Sequence, residues 1–302
     1  MEIRLRKMNN DFNNLIIGGV HKAGTTSLYT YLSWHPSIAG SDIKETHFFS
    51  GSNYKKKYKS YDEYFKNYKG EKYKLEASPE YIYERKIAIN NILDNTINPK
   101  IIFIFRNPAD KILSSFNHRK KNLLFDSDYN FEDFERDHLN ISSLTEIDKN
   151  NSYSKELYDG VYVDYIKDWF EAFGEENIRI IFFDDLKNKP HEVVENLTKW
   201  LNIDSGFYDN KNFTVENKSV VFKNASLQKY VMLISKNLEP VFRKNYKLKL
   251  FLRNIYYALN VDNKNKESTF SLNRIQNLYL EKNKELKSFL IAKGYKNFPE
   301  WL

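Results

Sequence analysis

Short, continuous apolar runs alternate with helical periodicities along most of this chain. Leu15-Ile16-Ile17, Ile101-Ile102-Phe103-Ile104-Phe105 and the run that begins at Ile178 have the pattern of parallel strands covered on both faces. The pattern predicts strands over Asn14–Val20, Lys74–Glu76, Ile101–Phe105 and Ile178–Phe183. Between them, apolar residues recur at helical spacing over Thr25–Trp34, Ala109–Lys121, Tyr158–Phe173 and Pro190–Leu201. This alternation predicts an α/β fold in which helices flank a parallel sheet. Ligands of such sheets bind at the carboxyl ends of the strands.

Polar stretches interrupt the pattern. Asn122–Ser154 and Phe207–Asn224 read as loops or lids, the second carrying Lys211, Lys218 and Lys223. From Leu227 to Tyr257 the chain turns amphipathic, helical and basic. Val261–Thr269 is a further polar loop, and Leu272–Leu290 predicts a closing helix. With no internal repeat and no clean boundary, a single domain over residues 1–302 is expected, elaborated by a helical, loop-rich stretch at about 207–271.

Composition adds further constraints. With 22 Tyr, 22 Phe and 4 Trp among 302 residues, the chain has ample material for a large core despite its mean hydropathy of −0.66. The absence of cysteine excludes disulfides and thiolate metal sites and fits a reducing compartment. No apolar run approaches the ~18 residues of a membrane span, so a soluble, cytoplasmic protein is expected. The net charge of +7 favours anionic ligands. Its basic residues are mixed with Asp, Glu and Asn rather than interleaved with stacking aromatics, so no nucleic-acid partner is expected.

The chemistry concentrates in two segments. Gly19-Val20-His21-Lys22-Ala23-Gly24-Thr25-Thr26-Ser27 lies between a strand and a helix, where a glycine-bearing loop wraps N–H groups around a phosphate. Its length is that of a Walker A loop, but Thr25 stands where a nucleoside-triphosphate enzyme has lysine. The only lysine, Lys22, comes earlier. An ordinary helix capped by Thr or Ser hydroxyls accounts for the loop equally well. The second segment, Arg106-Asn107-Pro108 with Ser114 eight residues after the arginine, places a guanidinium at the sheet's carboxyl edge, suited to a phosphate. A lone arginine there also fits a structural ion pair.

Together the two segments resemble the signature of sulfotransferases that use 3′-phosphoadenosine 5′-phosphosulfate (PAPS). The resemblance spans residues 12–302, with loose stretches between the motifs. It implies a three-layer P-loop-type sheet, a 5′-phosphosulfate cradled by Lys22, Ala23, Gly24, Thr25, Thr26 and Ser27, and a 3′-phosphate held by Arg106 and Ser114. It also implies 3′,5′-ADP as product and no metal. Lys44-Glu45-Thr46-His47-Phe48-Phe49 is similar to a Lys/Asn-Glu-x-His-Phe-Phe motif of the heparan-sulfate-type enzymes. That similarity makes Glu45 the candidate general base, with His47 as competitor or orienting partner and Lys22 at the leaving-group oxygen. A core histidine beside two phenylalanines is the competing account of His47. Leu75–Tyr81 resembles that family's Glu-Lys-Thr-Pro-x-Tyr segment, with Ala77 in place of its lysine. Lys264 and Lys266 stand near the place of a basic loop that contacts the 3′-phosphate in the family, without its Gly-Arg.

The expected activity is therefore sulfuryl transfer from PAPS to a hydroxyl or amine of a glycan or sugar-containing acceptor. A small phenol or alcohol is the alternative acceptor. A P-loop nucleotide kinase would need a lysine at position 25 and a magnesium-binding Asp, whereas the strand Ile101–Phe105 ends in Arg106. A catalytically silent nucleotide-binding module is the non-enzymatic alternative.

Overall fold

The computed structural model describes residues 13–52, 56–126, 128–148, 150–214, 221–222, 224–238, 252, 255–262 and 269–302. Five strands, β1 (Asn13–Gly19), β2 (Ile38–Gly40), β3 (Tyr73–Ala77), β4 (Lys100–Phe105) and β5 (Ile178–Phe182), form one sheet in the order β2-β3-β1-β4-β5. Every pairing is parallel, with Leu15 of β1 opposite Leu75 of β3 and Lys100 of β4. Leu15, Ile16, Ile17 and Ile101 to Phe105 are all fully buried, as continuous apolar strands between two helical layers must be. Each such side chain contributes about 1.5–3 kcal/mol of burial.

Among the described residues, the helices include α1 (Thr25–Leu32), α2 (Tyr81–Asn95), α3 (Pro108–Lys121), α4 (Phe131–His138), α5 (Ser152–Tyr158), α6 (Val163–Phe173), α7 (Phe183–Asn188), α8 (Pro190–Trp200), α9 (Ala225–Asn237), α10 (Thr269–Leu278) and α11 (Leu280–Ala292). The chain divides into two compact units. One holds Met1–Lys111, Asp159–Asn217 and Tyr279–Leu302, and so the whole sheet. The other holds Ile112–Tyr158 and Lys218–Leu278. In the first unit Trp169 of α6 is fully buried edge-on to Phe103, their ring centres 5.0 Å apart, with its indole N–H turned to the Ile82 carbonyl. In the second, α4 opens on a reciprocal cap between Asn130 and Asp133 and buries Phe131 and Phe134. A short antiparallel pair, β6 (Val221–Phe222) and β7 (Val261–Asp262), belongs to the same unit.

The strand expectations hold to within a residue or two, and β2 and α2 are additions to them. Phe183 opens α7 instead of ending the last strand. The run Tyr158–Phe173 is broken before Val163. Gly160 lies in the break, where a Cβ would come within 2.7 Å of the Tyr279 hydroxyl and 2.9 Å of Pro108. The closing helix is likewise two helices that meet at Tyr279. The polar stretch Asn122–Ser154 contains α4, whose buried phenylalanines are outnumbered by charged residues in its sequence. Among the described residues, no helix is long and apolar enough to cross a membrane.

Candidate active site

Three strand ends converge on the sheet's carboxyl edge. β1 runs into the loop 20–24 and then α1. The loop starts level with the end of β4, because Val20 N–H donates to the Ile104 carbonyl at 3.1 Å. Lys22 and Gly24 both take left-handed backbone, with φ of 63° and 87°. Only glycine adopts that conformation without strain, and Gly24 is also crowded. A Cβ there would sit 3.1 Å from Leu186 and 3.3 Å from Phe183, both on α7. Leu28 N–H donates to the Gly24 carbonyl at 3.1 Å, so α1 starts directly from the loop. Ala23, Thr25 and Ser27 are buried, while Lys22 and Thr26 are half-buried.

Arg106 follows β4 directly. Its Nη1 donates to the Lys22 carbonyl oxygen at 2.8 Å, and its guanidinium lies 4.5 Å from the centre of the Phe183 ring. The backbone is held as well: the Tyr162 hydroxyl donates to the Arg106 carbonyl at 2.8 Å, and the Tyr162 ring stacks on Phe105 at 4.6 Å. Asn107 then caps α3, its Oδ1 accepting from Ala109 N–H at 2.9 Å. Pro108 occupies the helix's first position. Ser114 is buried farther along α3, in the second unit. Lys264 and Lys266 lie outside the described residues.

The third element is the segment 44–47, moored to the end of β3. Ala77 N–H donates to the Lys44 carbonyl at 3.0 Å, and His47 N–H donates to Ser78 Oγ at 3.1 Å. Glu45 is exposed and paired with Lys44 at 2.7 Å. Burial pushes its carboxyl up, but Lys44, helped by His21 and His47, outweighs it and holds the group below the usual carboxylate range. His47, at φ 51°, hydrogen-bonds through Nδ1 to the buried carboxylate of Glu80, which raises the imidazole above its ordinary value against the opposing effect of burial. Glu80 also accepts from Ser50 Oγ at 3.0 Å. His47 is therefore a half-buried group oriented by a carboxylate, and Glu45 is the ionised and more exposed of the two.

Beneath this segment lies a carboxyl that the sequence reading passed over. Glu76 of β3 is fully buried. Its Oε2 accepts from Ser78 Oγ at 2.8 Å and Thr46 Oγ1 at 3.1 Å, while Oε1 has no hydrogen-bond partner among the described residues. Burial raises its pKa to about 7, against hydrogen bonds from Ser78, Tyr81 and Thr46 that lower it and with the Glu80 charge pushing the same way. Its place in a predicted strand and in the family-like segment Leu75–Tyr81 was the signal available for it. Phe183 was also missed, because it reads as the last residue of a strand while its ring packs on both Arg106 and Gly24. Ala77, the departure from the family's lysine, is fully buried.

A family model described as "Sulfotransferase domain" matches residues 12–246. A bifunctional heparan sulfate N-deacetylase/N-sulfotransferase 1 of Caenorhabditis elegans is 30% identical over 203 residues, covering 63% of this chain and 22% of its own length. Its counterpart in Caenorhabditis briggsae is 27% identical over 196 residues, with the same coverage. The chain thus spans about a fifth of the length of these curated relatives. A sulfotransferase structure from Alicyclobacillus acidocaldarius superposes with a TM-score of 0.53 at 21% identity, covering 78% of this chain and 96% of that one, a likeness of fold.

Proposed function

Because the chain belongs to the sulfotransferase-domain family, we propose that it transfers a sulfuryl group from PAPS to a hydroxyl or amine of a glycan or sugar-containing acceptor. One observation carries the reading. The loop after β1 and the arginine after β4 stand on adjacent central strands and are joined by the 2.8 Å bond from Arg106 to the Lys22 carbonyl. Two cationic positions at one sheet edge suit a ligand with phosphate at both its 5′ and 3′ ends, and Thr25 in place of the Walker lysine suits the absence of a γ-phosphate.

In this reading, the N–H groups of residues 22–27 and the Lys22 ammonium bind the 5′-phosphosulfate, and Arg106 binds the 3′-phosphate. Ser114, Lys264 and Lys266 join the 3′-phosphate set on the strength of the sequence resemblance. The acceptor oxygen or nitrogen attacks sulfur in line, and the bond from sulfur to the bridging phosphate oxygen breaks. Its electron pair leaves on the phosphate of 3′,5′-ADP beside Lys22. Glu45, ionised at neutral pH, takes the acceptor's proton. The Glu80–His47 pair lies next to it and supplies a second, more basic group. A glycan acceptor is supported by the Lys44–Phe49 segment and by relatives whose names specify heparan sulfate.

The test is transfer of labelled sulfate from PAPS to desulfated glycans and to simple phenols. Labelling of glycans alone is expected. Labelling of phenols alone overturns the acceptor, and no labelling with either overturns the transfer. In parallel, 3′,5′-ADP is expected to raise the melting temperature more than ATP does, with or without magnesium. Greater stabilisation by magnesium ATP favours a kinase.

A further inference from the structure

Three consecutive amides of the segment that carries Glu45 and His47 end on hydroxyl groups. His47 N–H donates to Ser78 Oγ at 3.1 Å, Phe48 N–H to Thr46 Oγ1 at 3.2 Å and Phe49 N–H to the Tyr81 hydroxyl at 3.1 Å. Residues 46–49 lie between secondary-structure elements, so these bonds do for them what a ladder does for a strand. Each hydroxyl has one proton to give. Ser78 gives its proton to Glu76 Oε2 at 2.8 Å, and Thr46 gives its own to the same oxygen at 3.1 Å. The Tyr81 hydroxyl stands 3.4 Å from Thr46 Oγ1. One carboxyl oxygen therefore sets the direction of the network. Glu76, Ser78, Tyr81 and Thr46 are at most 2% exposed, so a lost acceptor has no solvent to replace it. His47 sits in this segment at a φ of 51°, a conformation that a residue other than glycine keeps only where its surroundings impose it.

The charge of the carboxyl also matters. Glu80 and Tyr81 at the start of α2, Tyr61, Tyr29 of α1 and His47 lie within electrostatic reach of Glu76. As a neutral acid, Glu76 accepts both hydroxyls without opposing the Glu80 carboxylate. Burial keeps it in that form up to about pH 7. Once ionised, it adds a negative charge that raises the His47 imidazole further.

We propose that Glu76 is a positioning residue: through Ser78 and Thr46 its carboxyl sets the backbone of residues 46–49, and with it the places of Glu45 and His47 in the reaction. The inference rests on the transfer reading above, so its test includes a measurement that needs no transfer. Glu76→Gln keeps a carbonyl acceptor of the same shape and cannot ionise, whereas Glu76→Leu offers no acceptor. With labelled sulfate at about pH 6, turnover is expected to stay within about twofold of wild type in Glu76→Gln and to fall about 10- to 100-fold in Glu76→Leu. Affinity for 3′,5′-ADP should stay near wild type in both. Thr46→Val removes one of the two donated hydroxyls and is expected to lower turnover in the same way, which keeps the test open should Glu76→Leu not fold. Without PAPS, nuclear magnetic resonance of the His47 imidazole is expected to show it titrating at lower pH in Glu76→Gln than in wild type, because a nearby negative charge has gone. The proposal is overturned by wild-type turnover in Glu76→Leu or Thr46→Val, by an equal fall in Glu76→Gln and Glu76→Leu, by 3′,5′-ADP affinity falling in step with turnover, or by an unchanged His47 titration. If wild type labels no acceptor, the transfer reading fails, and the His47 titration alone decides whether Glu76 governs the segment.

Discussion

Arg106 donates to the carbonyl oxygen of Lys22 across 2.8 Å, so the loop after β1 and the end of the neighbouring strand are tied together by a single guanidinium. A charge-assisted bond of this kind is worth about 1.5–3 kcal/mol, and the same group is assigned to the 3′-phosphate. Arg106→Ala is expected to weaken 3′,5′-ADP about 10- to 100-fold by calorimetry. Arg106→Lys should recover little, since an ammonium has no planar fork to serve two acceptors. Wild-type affinity in the alanine variant would remove Arg106 from the site.

Gly24→Ala tests the loop without touching its charge. The left-handed φ of 87° and the contacts at 3.1 and 3.3 Å to Leu186 and Phe183 leave no relaxed place for a methyl group. A loss of about 1–2 kcal/mol is expected, read as a lower melting temperature. The shift produced by 3′,5′-ADP should shrink with it. An unchanged melting temperature would mean the loop is not held in this conformation.

Glu45→Gln keeps the shape of the side chain and removes its capacity to take a proton. Turnover should fall by about 10²–10⁴ while 3′,5′-ADP affinity stays near wild type. Full activity would transfer the role of base to His47, in which case His47→Gln becomes the inactive variant.

The buried carboxyls make stability depend on pH in a direction that can be worked out. Folded Glu76 holds its proton up to about pH 7, whereas the unfolded chain releases it near 4.5. The folded state therefore binds more protons, and wild type should lose stability relative to Glu76→Gln as pH rises from 4.5 to about 7, levelling off above that. The ceiling is about 3 kcal/mol. For His47 the folded value is raised by Glu80, so its contribution is complete below the ordinary 6.5 and is lost as pH rises through the folded value. Urea melts of wild type, Glu76→Gln and His47→Gln at several pH values separate the two. A flat difference between wild type and Glu76→Gln would show that the carboxyl is not perturbed.

The sheet was legible where its strands are buried on both faces, because Leu15–Ile17 and Ile101–Phe105 admit few other readings. β2 escaped because three residues, Ile38–Gly40, carry no periodicity. α2 escaped because its backbone departs from helical geometry at Arg85 and because exposed Ile87 and Leu93 blur its buried stripe. The loop residues 22–27 and Arg106 were visible as motifs, since their chemistry depends on local order along the chain. Glu76, Glu80 and Phe183 act through contacts with distant residues. Thr46 meets Glu76 across 30 positions and His47 meets Glu80 across 33, and no spacing rule encodes such pairings.

Lys22 and Arg106 are 84 positions apart, and they meet only because β1 pairs with β4 after β2 and β3 have been threaded to its other side. The loop motif is complete as soon as residue 27 exists, but its cradle is not. Closing so long a segment carries an entropic cost that no local contact offsets, and pairings of this range form slowly. An emerging chain thus displays the loop sequence well before Arg106 can reach it. Under the proposed function, retention on immobilised 3′,5′-ADP would consequently select molecules whose sheet has closed.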